Sequence, residues 1–91
     1  MKTYIILNEL SATAELMRSD DYNDRFAAEY MQVRIRMDRL QKMVDKWDKG
    51  ELGFEPTCSR STYDLQLRAM SDYATILEAR AKMEGIQFVQ Q

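Results

Sequence analysis

Apolar residues recur at alternating steps of four and three in two stretches of the chain. The first is Phe26, Tyr30, Val33, Met37, Leu40, Val44 and Trp47; the second is Tyr63, Leu67, Met70, Ala74, Leu77 and Ala81. Polar and charged residues fill most positions between them. This is the spacing of a helix that lays one stripe against another helix. A single break marked by Gly50, Gly53 and Pro56 separates the two stretches. The pattern predicts an all-α fold, a long antiparallel helical hairpin with helices over about residues 20–49 and 60–84.

The helix ends carry their own signals. Ser19 or Asp20 caps the first helix, and Asp20, Asp21 and Asp24 complement its positive end. Lys42, Lys46 and Lys49 suit the negative end, and Gly50 supplies the stop. Ser59 or Ser61 starts the second helix, with Asp64 three residues after Ser61 in a weak capping box. Gly85 ends it. Leu52 and Phe54 are expected to fold back over the open end of the hairpin, against Trp47.

Residues 1–18 have two readings. Thr3 to Leu7 have strand propensity, as do Ile86 to Val89, so the termini can form a two-stranded ribbon. Alternatively Ile6, Leu10, Ala14 and Met17 lie on one face of a short helix, which is favoured because a lone ribbon is marginal. The chain reads as one domain over residues 1–91: an N-terminal appendage at 1–18, the hairpin at 19–85 and a tail at 86–91.

Both long helices are apolar on more than one side. Ala27, Met31, Ile35 and Met43 lie outside the first seam; Ala69, Tyr73, Ile76 and Met83 lie outside the second. A two-helix hairpin covers one face of each, so a further face needs residues 1–18 or another subunit. A homo-oligomer, dimer or higher, is expected, with Met31, Ile35, Ala69, Tyr73 and Ile76 at its interface.

Composition narrows the chemistry. With 13 basic and 15 acidic residues, net charge −2, the chain lacks the basic excess of a general nucleic-acid binder. It has no histidine and one cysteine, which removes the usual zinc sites and every His-based catalytic arrangement. No metal, cofactor or enzymatic activity is expected. Without a secretory core or a membrane-length apolar run, the expected location is the cytoplasm.

Two clusters are candidate anion sites. Ser59, Arg60 and Ser61 bring hydroxyls and a guanidinium to a helix N-terminus, where free N–H groups favour phosphate. Ordinary capping is the plainer account. Arg34, Arg36 and Arg39, followed by Lys42 and Lys46, form a basic stretch, which Asp38 and Asp45 dilute. Trp47 and Phe54 flank the break and are the aromatics best placed to stack on a ligand. Cys58 lacks both a histidine base and a second cysteine, which argues against a nucleophile.

Tyr22, Arg25, Phe26, Glu29 and Tyr30, the stretch Pro56 to Cys58, and then Met70, Tyr73, Leu77, Arg80 and Glu84 to Ile86 carry a resemblance. Residues 21–87 resemble a family of small uncharacterised phage and prophage proteins named after a crAss-like phage member. The resemblance implies phage origin and a helical hairpin, and carries over no catalytic residue. Ser59 departs from the proline expected there in relatives. Small phage accessory proteins often counter host defences, so the expected role is an anti-defence protein acting in the host cytoplasm. It would sequester a host immune component, either an effector protein or a cyclic or ADP-ribose-type nucleotide messenger. The alternative is a structural or regulatory interaction module acting on host machinery.

Overall fold

The computed structural model describes residues 1–90 of the protein. Two long helices dominate it: α2, Tyr22–Asp48, and α3, Arg60–Glu84. Before them lie strand β1, Lys2–Ile5, a 3-10 turn at Ser11–Thr13 and a single helical turn α1, Ala14–Met17; strand β2, Ile86–Val89, follows α3. Tyr22 reaches Glu84, Tyr30 reaches Glu78 and Trp47 packs on Tyr63. These cross-links mean that α3 runs back along α2, as the paired seams predict.

The caps account for the boundaries. Asp21 caps α2 by accepting from the Asn23 N–H at 2.9 Å, so the helix starts slightly later than Ser19 or Asp20 would place it. Ser19 instead donates to Asp24 and accepts from the Asp21 N–H. Ser59 caps α3 through the Thr62 N–H. Gly50 and Gly85 take the left-handed conformation, φ +70° and +74°, that ends a helix cheaply only for glycine. In the connection Leu52 is half-buried, but Phe54 is 59% exposed and does not close over the helix ends. Trp47 packs edge-on against Tyr63 at 5.9 Å instead.

The all-α expectation needs one correction. β1 and β2 form a two-stranded parallel ribbon, in register from Lys2 with Ile86 to Ile5 with Val89. The two readings of residues 1–18 are therefore not exclusive, since strand and short helix occupy successive parts of that segment. A bare ribbon would be marginal. This one is held by packing: Tyr4 and Ile86 are buried, and the Phe88 ring lies 4.4 Å from that of Tyr30.

Residues 1–18 also decide what covers the second face of α2. Ile6, Leu7 and Leu16 pack onto the cluster that contains Phe26, Ala27, Tyr30 and Met31. Buried Thr13 accepts from the Gln32 side chain at 2.9 Å and donates to the Leu10 carbonyl at 2.7 Å. Met31 and Ile35 are thereby buried within the chain, 0% and 7% exposed, so neither is a surface residue open to another subunit. On α3, Ala69, Tyr73 and Ile76 stay exposed.

Candidate functional site

An open groove of about 800 Å³ lies beside the middle of α2. One wall is the turn after β1, with Ile6, Leu7, Asn8 and Glu9; the other is the α2 surface with Arg34, Met37, Arg39, Gln41 and Lys42. The 4-residue strand sends the chain across α2, and the helical pitch then lines up residues 34, 38 and 42 along one row.

Three cations and two carboxylates, Glu9 and Asp38, line this groove, leaving it one positive charge in excess. Each cation has a single acidic partner. Arg39 meets Glu9 at 3.1 Å, Lys42 meets Asp38 at 2.9 Å, and Arg34 meets Glu78 at 3.4 Å. Exposed pairs of this kind contribute about 0–1 kcal/mol, so an incoming anion can displace them at little cost. Asn8, Gln41 and Gln90 add amides, and Ile6, Leu7 and Met37 add apolar surface.

Glu78 also accepts from the Tyr30 hydroxyl at 2.6 Å. Burial and then this hydrogen bond push the Tyr30 hydroxyl up to about 12. Arg34 is thus anchored through Glu78 to the buried face of the hairpin.

The predicted basic residues do not all meet. Arg34 and Arg39 line the groove, while Arg36 is exposed and outside it. Arg60 belongs to the far end of the hairpin, against Asp48. Asp48 lies nine residues beyond Arg39 on the same helix and fourteen beyond Arg34, about 13 and 21 Å along its axis.

The helix start that contains Ser59, Arg60 and Ser61 is internally satisfied. Arg60 spans Asp48, through Nε at 3.0 Å and Nη2 at 3.1 Å, and also contacts Asp64. These hydrogen bonds hold Arg60 well above the usual arginine range and Asp48 below the usual carboxylate range. Ser59 is engaged in capping, with Ser61 and Thr62 hydroxyls at 3.1 and 2.8 Å. Trp47 is turned onto Tyr63, and Phe54 stands alone at the surface.

Asn8, Glu9 and Gln90 were not singled out by sequence, because no local motif marks them. The basic stretch from Arg34 to Lys42 was the readable trace of the groove. A second concavity, about 390 Å³, lies between α3 and β2 and is lined by Glu78, Ala81, Lys82, Ile86 and Phe88. Among the described residues no cluster of three His, Cys, Asp or Glu groups could hold a metal ion. No helix described is long and apolar enough to cross a membrane.

A thin helical hairpin with an open, mixed-charge groove has the form of a small binding protein. A comparison with known protein families agrees at that level. A family model described as Sequestin matches residues 20–83, most of the chain, and the protein belongs to the Sequestin family. No curated protein and no solved structure matches. The family name points to sequestration, which is binding a partner rather than converting it, and specifies no target.

Proposed function

We propose that the protein is a phage-encoded, non-enzymatic anti-defence protein that sequesters a nucleotide messenger of host immunity in the host cytoplasm. The observation that carries this reading is the groove beside α2, where Arg34, Arg39 and Lys42 stand among amides and apolar side chains. Phosphates need cations, ribose and base edges need hydrogen-bonding groups, and a base face needs apolar surface. A space of about 800 Å³ falls in the range of small-molecule sites. The acting species is an oligomer. A cyclic or ADP-ribose-type messenger fits this mixture better than a free inorganic anion.

The experiment is thermal-shift and calorimetric screening against cyclic dinucleotides, cyclic trinucleotides and ADP-ribose derivatives. A ligand present at a hundred times its Kd adds about 2.7 kcal/mol of stability, an easily read shift. Arg39→Ala should weaken binding about ten- to a hundredfold, the loss of one charged hydrogen bond. No shift with any of these compounds overturns the nucleotide reading. The second reading, an interaction module that binds a host effector or other host protein, draws on the exposed apolar residues of α3. A stoichiometric host protein retained from lysate, with no nucleotide bound, would support it instead.

A further inference from the structure

Helix α3 carries two heptad seams. The inner one, Tyr63, Leu67, Met70, Ala74, Leu77 and Ala81, faces α2. The outer one lies two residues further on at every step: Leu65, Ala69, Asp72, Ile76, Ala79 and Met83. Two residues are about 200° of helical rotation, so the outer seam points directly away from α2. Residues 1–18 cover α2 and do not reach it. Leu65 is 68% exposed, Ile76 58% and Met83 79%. A helix of 25 residues, about 37 Å long, thus presents a stripe, apolar except for Asp72, that no other described element covers.

The charges beside that stripe select a partner. Arg68 and Asp72 are exposed and make no ion pair among the described residues, although most of the other charges near α3 are paired. Two α3 helices laid antiparallel about a point between Met70 and Ser71 bring each Arg68 to the other Asp72, twice by symmetry. The same register seats Leu65 against Ile76 at both ends. Sliding by one heptad would oppose Leu65 to Met83, but it would set Arg68 beside Arg80 and leave Asp72 against Ile76. The charges reject that register.

We propose that the outer face of α3 pairs antiparallel with the same face of a second copy, with Leu65 packed on the partner's Ile76 and Arg68 paired with the partner's Asp72. This rests on the oligomeric form proposed above and not on the groove, which shares no residue with this face. The large seam side chains bury roughly 60–120 Å² each on transfer from water. In this register four of them, Leu65 and Ile76 of each copy, remove roughly 240–480 Å² from water, a small interface whose register the charge pairs select. The small Ala69 and Ala79 allow the helices a close approach.

Light scattering on the full chain should give twice the 10.7 kDa monomer mass. Ile76→Asp should weaken the dimer roughly a hundredfold or more, since two such residues leave the interface per dimer. Arg68→Asp should weaken it by setting like charges together, and Arg68→Asp with Asp72→Arg should restore it. That restoration separates pairing from misfolding, as does unchanged helical circular dichroism. In a Cys58→Ser background, Leu65→Cys with Ile76→Cys should cross-link on diamide oxidation, and Leu65→Cys with Met83→Cys should not. A monomeric wild type, a dimer indifferent to Ile76→Asp, or the reverse cross-linking pattern overturns the proposal. So does a monomer that engages a different protein through Leu65 and Ile76.

Discussion

The two ends of the hairpin have the same helices and the same seam spacing, yet they are held differently. At the terminal end a third layer joins the helix pair. Tyr4, Ile86 and Phe88 from the ribbon, with Ile6, Leu7 and Leu16, pack around Phe26, Tyr30, Met31 and Leu77. Aromatic contacts tie this region together: Phe88 lies 4.4 Å from Tyr30 and 6.2 Å from Tyr4, and Arg80 lies 5.0 Å over Phe26. At the loop end only two helices meet. Val44 is fully buried there, but Leu40, Trp47, Tyr63 and Leu67 are half-exposed. Polar caps and ion pairs close that end, with Ser59 on the helix start and Arg60 between Asp48 and Asp64. Seam spacing fixes which helices pair, whereas depth of burial depends on whether a third layer arrives.

The strongest break of this contrast is a matched pair of truncations. Leu77 is 0% exposed in the three-layered end, and Leu77→Ala should cost about 2–5 kcal/mol, through lost apolar burial and the cavity left behind. Leu67→Ala in the two-layered end removes the same atoms from a half-exposed site and should cost well under half as much. Urea unfolding at equal protein concentration reads both. Equal losses would mean that the loop end is as tightly packed as the terminal end. A smaller effect tests how the loop end is closed. Ser59→Ala removes the α3 cap and should cost about 1 kcal/mol, with Ser59→Gly recovering most of it. A null result would move the closure of that end onto the Arg60 ion pairs.

The same contrast explains what sequence could convey. The long helices were legible because their seams repeat over 27 and 25 residues and the caps are local. The ribbon was ambiguous because β1 finds its partner more than 80 residues away, and four residues of strand propensity say nothing about such packing. Surplus apolar positions on both helices were visible, but the spacing of Met31 and Ile35 is the same whether residues 1–18 or another subunit covers them. Of the candidate anion site, Arg34 and Arg39 were readable as a basic stretch. The groove they line depends on Asn8 and Glu9, which reach α2 only through the ribbon's geometry. Arg60 illustrates the opposite case. Asp64, one helical turn later, was a readable competitor for its charge; Asp48, across the connection, was not.

The smallest effect is silent at neutral pH and appears only in alkali. Tyr4 and Tyr30 both lie in the three-layered end, and each donates to a carboxylate at 2.6 Å, Asp24 and Glu78 respectively. Burial, then these hydrogen bonds, raise both phenols, Tyr30 to about 12 and Tyr4 further. A group raised in the folded state holds its proton after the unfolded chain has released it. Its stabilisation is therefore complete below the ordinary phenol value of about 10 and declines as pH rises through the folded value. Stability should fall from about pH 10 upward, and Tyr30→Phe should flatten part of that decline, since phenylalanine has no proton to lose. Tyr63 at the loop end is half-exposed and is raised by its hydrogen bond to the Cys58 thiol rather than by deep burial and a carboxylate, so Tyr63→Phe should flatten the alkaline limb less than Tyr30→Phe does. Thermal unfolding of the three proteins between pH 8 and pH 12 makes the comparison. If Tyr63→Phe flattened the limb as much as Tyr30→Phe, the alkaline weakness would belong to the loop end rather than to the three-layered core.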